Sequence, residues 1–147
     1  MNLVERLDRG PVICAEGYLF AMERRGYLQA GAFVPEVVLE NPEVVTQLHR
    51  EFIRSGSDVV QAFTYYAHRE KLRIINRENL IEPLQKEALN LAKKAAAEFS
   101  DHNLLVCGDV SNTNIYDPQD KNSLIECQKM FEEQVGWAKD VGVDFII

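Results

Sequence analysis

The chain has no run approaching the about 20 apolar residues that a membrane-spanning helix needs, so no membrane partner is expected. Cations are in the minority, 16 Lys and Arg against 23 Asp and Glu, for a net charge of −7. Clustered cations are what meet phosphates, so nucleic acid is not expected as a partner either. Cysteine is sparse, three in 147 residues, too few and too odd in number for a disulfide framework, and in keeping with a reducing compartment. The opening MNLVERLDRG mixes both charges and lacks the apolar centre of a signal peptide. The expected location is the cytoplasm. No G-x-G-x-x-G turn and no G-x-x-x-x-G-K-[ST] loop occurs, which removes the common nucleotide-binding designs. Cys14, Cys107 and Cys127 form no C-x-x-C pair, and His49, His68 and His102 show no ligand spacing. These residues read as structural, and no metal site is expected within the chain.

What is present is ordinary globular material, 46% hydrophobic and 27% charged, enough for one domain over residues 1–147. Four apolar runs stand out: PVICAEG, SDVVQAFTYY, NLLVCGDV and VDFII. Continuous runs of this length suit strands buried on both faces, as in parallel sheets. Helical periodicity fills the gaps. Asn41-Pro42-Glu43 reads as a helix start, with Val45, Leu48 and Phe52 behind it and Gly56 as the stop. Leu84, Ala88, Leu91, Ala92, Ala95 and Phe99 mark a second helix. Ser123 with Glu126 reads as a capping box, ahead of a stripe of Leu124, Phe131, Val135 and Ala138. A short repeat, Gly56-x-Asp58 and Gly142-x-Asp144, introduces two of the strands. The pattern is β-α-β-α-β-α-β, an α/β class with a parallel sheet in sequential order 1-2-3-4. A complete (β/α)8 barrel takes eight strands and about 250 residues. Four strands are half of one.

LDRGPVICAEGYLFAMERRGY, PEVVLENPEVVTQLHREFIRSGSDVVQAFTYYA and GDVSNTNIY resemble the homocysteine S-methyltransferases, in particular the betaine–homocysteine branch. The likeness runs from about Glu5 to Ile147. It implies the N-terminal half of a (β/α)8 TIM barrel, with VDFII as the fourth barrel strand. It also implies a reaction in which zinc binds homocysteine, and the sulfur takes a methyl group from betaine or a similar onium donor to give methionine. The family's zinc thiolates belong to the second half of the barrel, so no zinc is expected on this chain. The expected partners are homocysteine, a methylated onium donor, and either the missing C-terminal half-barrel or a second copy of the chain. The chain alone is expected to be inactive. A non-catalytic half-barrel that binds a quaternary amine, or an inactive fragment, are the alternatives.

In a barrel the active face lies at the C-terminal ends of the strands, which here are Glu16, Gln61 to Tyr66, and Asp109 to Asn112. A quaternary ammonium offers no hydrogen bond, so its site is built from aromatic faces. The resemblance implies such a cage from Phe33, Tyr65 and Tyr66, with Phe33 where the family usually has tryptophan. The same residues also read simply as strand aromatics packed beneath helices. Gln61 is expected to face substrate with them. The family shows Asp-Gly-Gly after the first strand, whereas this chain has Ala15-Glu16-Gly17. Glu16 is therefore the candidate catalytic acid or a solvated loop acid. Asp109 either lines the cleft or caps the VSNTN loop through an Asx bond, and capping is favoured.

Overall fold

The computed structural model describes residues 1–29, 31 and 34–147. Helices α1 (Leu3–Leu7), α2 (Tyr18–Arg24), α3 (Val37–Glu40) and α4 (Pro42–Arg54) precede strand β1 (Val59–Gln61). Helices α5 (Arg69–Ile74) and α6 (Ile81–Ala97) lead to β2 (Leu105–Gly108), and α7 (Lys121–Val141) leads to β3 (Phe145–Ile146). The sheet has three parallel strands in the order β1-β2-β3.

The first of the four expected strands is reduced to one parallel bridge between Cys14 and Val59. Val59 also pairs with Leu105, so Cys14 lies on the side of β1 away from β2 and the sequential order holds. There the Ile13 N–H donates to the Asp58 carboxylate at 2.8 Å. Asp144 does the same for the next pair of strands, accepting from the Val106 N–H at 2.7 Å. The main-chain N–H groups of Asp58 and Asp144 in turn bond Ile13 and Val106 carbonyls. The Gly-x-Asp repeat is therefore a device that registers an incoming strand on its neighbour.

Side chains alternate across the sheet with period two. Val60, Ala62 and Val106 turn toward the helices and join the main core with Leu48, Leu84, Ala88, Leu89, Ala92 and Ala138. Val59, Leu105 and Cys107 face the other way, with Leu3, Val12, Cys14 and Phe145 against them. α6 carries the expected stripe, but it ends at Ala97; Phe99 lies beyond it, half-buried, under the Arg54 guanidinium. Gly108 is needed where it stands. A Cβ there would meet the Ala138 Cβ at 3.3 Å and Ile146 at 3.5 Å.

α7 departs from expectation in two ways. Its N-cap is Asp120, whose carboxylate accepts from the Asn122 N–H. Ser123 lies inside the helix and donates back to the Asp117 and Asp120 carbonyls, while Glu126 pairs with Lys129. The carboxylate outcompetes the hydroxyl because it accepts a charge-assisted bond at the positive helix end. The buried face is Ser123, Cys127, Met130, Gln134 and Ala138, one residue out of step with Leu124, Phe131 and Val135. Leu124 and Val135 are exposed. Glu133 makes a bidentate ion pair with Arg69 of α5, its Oε2 2.8 Å from the guanidinium Nε.

Replacing Asp144 by alanine strips the Val106 N–H of its partner at a partly solvated site, and should cost about 1 kcal/mol in urea denaturation. An unchanged midpoint and slope would contradict the registering role.

Candidate functional site

At the C-terminal ends of the strands a cleft of about 290 Å³ opens, lined among others by Glu16, Tyr18, Gln61, Phe63, Tyr65 and Asp109. Each arrives by a different route. Glu16 follows the Cys14 bridge and precedes Gly17, whose φ of +83° lets the chain turn into α2. Gln61 is the last residue of β1. Asp109 follows β2 directly. Tyr65 is on the loop beyond β1.

That loop corrects the sequence reading of QAFTYY as continuous strand. The Ala62 N–H still reaches the Cys107 carbonyl, but Thr64 N–H then turns back to Ala62 and Ala67 N–H to Thr64. Tyr66 sits at φ +63°, a left-handed conformation uncommon for a bulky residue. The rings of Tyr65 and Tyr66 stack at 4.1 Å between centroids, 28° from parallel. Tyr66 stands behind Tyr65 and also carries the Lys71 ammonium, 4.3 Å from its ring centre. Tyr65 keeps its phenol proton above the usual range, because the Tyr66 side chain beside it and partial desolvation disfavour the phenolate. Phe33 lies outside the described residues.

Asp109 lines the cleft. Its carboxyl neighbours the Gln61 side chain across the ladder. Burial pushes its pKa up, Gln61 works against that, and the Glu16 charge adds to it. Beneath lie Cys14 and Cys107. Though 93 positions apart in the chain, they share one face of the sheet, and Cys14 approaches the Gln61 Oε1 at 3.7 Å. The neighbouring Cys14 thiol and burial hold the Cys107 thiol strongly protonated. Among the described residues no three His, Cys, Asp or Glu side chains gather as a metal site.

Tyr18 was not singled out from the sequence. It is buried, stacked near Phe63 and edge-on to Phe52, and its hydroxyl is 2.9 Å from His49 Nδ1. Burial pushes the His49 pKa down to about 3, so the pair is a neutral wall of the cleft. His68 is the residue capping the start of α5 and is buried, and His102 pairs with Asp101 in a helical turn. The signal for Tyr18 was the Gly17 turn just before it, which aims the first residue of α2 inward. A larger, more apolar groove of about 670 Å³ lies along Tyr116, Leu124, Phe131 and Val135; it shares no residue with the cleft.

Parallel strands with a polar and aromatic cleft at their C-terminal rim are the arrangement of barrel-type α/β enzymes. The fold is like that of the homocysteine methyltransferase MmuM from Escherichia coli in its metallated form. The TM-score is 0.78 at 23% identity, over 98% of this chain and 55% of that one. A model of the homocysteine S-methyltransferase family matches residues 17–147. The chain belongs to that family. It is 40% identical to betaine–homocysteine S-methyltransferase 1 of Mus musculus over 99% of its own length and 36% of the relative's. It is likewise 40% identical to the Sus scrofa protein of that name, over 52% of the latter. The chain thus spans about a third to a half of the length of these relatives.

Because burial raises the Asp109 pKa, the folded state favours its neutral form. Its contribution is present at low pH and lost as pH rises through the folded value. Asp109→Asn should therefore raise the melting temperature at pH 7 and leave it unchanged near pH 3. Thermal melts at both pH values check this, and equal shifts at both would refute the assignment.

Proposed function

We propose that this chain supplies the N-terminal part of a homocysteine S-methyltransferase that moves a methyl group from betaine or a similar onium donor to homocysteine, giving methionine. The observation that carries the reading is the composition of the cleft. Its described lining holds two acids and three aromatic rings besides Phe20, and no Lys or Arg. Such a wall attracts a cation that cannot be hydrogen-bonded.

In this reading Tyr65 offers its π-face to the onium group and Tyr66 backs it. Gln61 and Asp109 fix the polar end of a substrate, and Glu16 faces the positive charge from the opposite loop. Homocysteine first gives up its thiol proton to solvent. The methyl carbon then passes in line: the thiolate sulfur forms a bond to carbon as the carbon–nitrogen bond breaks, and the amine leaves uncharged with its electron pair. Holding sulfur, carbon and nitrogen collinear, and keeping water out, is the work asked of the cleft. The zinc that goes with the family is not fitted by the described residues, which provide no ligand set for it, and no step here is assigned to it. A complementary half-barrel chain, or a second copy, would complete the wall beyond β3. The proposed location is the cytoplasm.

Methyl transfer to homocysteine should be undetectable with the chain alone and appear on mixing with the C-terminal half of a homologue. In that mixture Tyr65→Ala should raise the donor KM by roughly tenfold, the worth of one desolvated cation–π contact. Turnover by the isolated chain, or an unchanged KM, would overturn the reading.

A further inference from the structure

Two loops meet at the rim through a set of hydrogen bonds that the candidate chemistry does not use. The Tyr66 N–H donates to Ser111 Oγ at 2.9 Å. That hydroxyl donates its own proton to the Thr64 carbonyl at 3.2 Å. Thr64 Oγ1 in turn donates to the Asp109 carbonyl at 2.6 Å. Thr64 is 1% exposed and Ser111 6%, so each of these groups depends on its partner for satisfaction.

We infer that Ser111 is a positioning residue, whose hydroxyl holds Tyr66 in its left-handed conformation and thereby sets the stacked Tyr65–Tyr66 pair against the cleft. The inference rests on the reading of that pair as the onium donor's wall. A left-handed tyrosine persists only where its surroundings over-determine it. Here the N–H is fixed by Ser111 from the neighbouring loop, and the carbonyl accepts from the His68 N–H at 2.9 Å. Ala67, next in the chain, is held through its carbonyl by the buried Gln85 at 2.7 Å. The hydroxyl of Ser111 is the one group that both accepts from Tyr66 and donates to Thr64, so it pins both ends of the Thr64–Tyr66 segment at once. A serine suits this because one oxygen supplies an acceptor and a donor on the shortest of side chains. Removing it leaves the half-buried Tyr66 N–H without its acceptor, and the chain regains reason to flip to an ordinary φ. A flip there turns the Tyr66 ring away from Tyr65.

The test compares the intact chain with Ser111→Ala and Ser111→Thr. The Tyr65 and Tyr66 ring resonances report the stack, and calorimetry with tetramethylammonium chloride reports the wall. Ser111→Ala should keep the far-ultraviolet spectrum, lose the mutual ring-current shifts, and bind tetramethylammonium roughly tenfold more weakly, as expected for one half-buried group left unpaired. Ser111→Thr, which keeps the hydroxyl, should restore both. Unchanged ring shifts in a folded Ser111→Ala chain overturn the positioning role. Lost ring shifts with no tetramethylammonium binding by the unaltered chain overturn the donor-site reading and leave the positioning role standing. Should Ser111→Ala fail to fold, the Tyr66 amide of the unaltered chain decides: slow hydrogen exchange supports the bond, and exchange as fast as in an exposed loop overturns it.

Discussion

Parallel pairing is the constraint on which the rest of the molecule depends. Two parallel strands cannot be joined by a tight turn and need a crossover that returns the chain to its starting edge. α5 and α6 make that return between β1 and β2, and α7 makes it between β2 and β3. With every strand pointing one way, the segments leaving Ala15, Ala62 and Asp109 share one rim. The same register decides the packing. It sends Val60 and Val106 into the helices and Val59, Leu105 and Cys107 to the opposite face. One ladder therefore fixes both the core and the place where substrates can be held.

The register is in turn enforced by polar groups rather than by apolar area. Asp58 and Asp144 each use a carboxylate and a main-chain N–H to grip the strand before them. At the other end of the strands, Thr64 and Ser111 tie the two longest rim loops together. The cleft lies above that tie, where a half-buried acid, Asp109, sits beside Gln61 and Glu16. Burial makes the charged carboxylate costly there. A cation arriving beside Asp109 would relieve that cost, so the electrostatics of the empty cleft favour the same class of ligand as its aromatic wall.

Much of this was legible in the sequence, and what was not has physical reasons. The helices from Pro42 and Ile81 declared themselves by spacing, and the Gly-x-Asp repeat marked two strand entrances. Four of the six site candidates, Glu16, Gln61, Tyr65 and Asp109, line one cleft, with Tyr66 stacked behind. Strand extent was misjudged at PVICAEG, and at QAFTYY because an apolar run cannot reveal that Tyr66 would turn left-handed. The stripe of α7 was misplaced because that helix has two apolar faces. Met130, Gln134 and Ala138 face inward, while Leu124, Phe131 and Val135 line the outer groove, with Cys127 at its floor. Periodicity sees both and cannot rank them. Contacts such as Cys14 with Cys107, or Ser111 with Tyr66, join residues far apart in the chain and leave no local trace.

The central claim is that the ligand site is the rim cleft built by parallel register, and not the larger apolar groove on α7. Backbone amide chemical-shift mapping with betaine tests it most directly. The account predicts perturbations concentrated at Gln61–Tyr66, Glu16 and Asp109. Perturbations confined to the amides of Leu124, Phe131 and Val135 would contradict it.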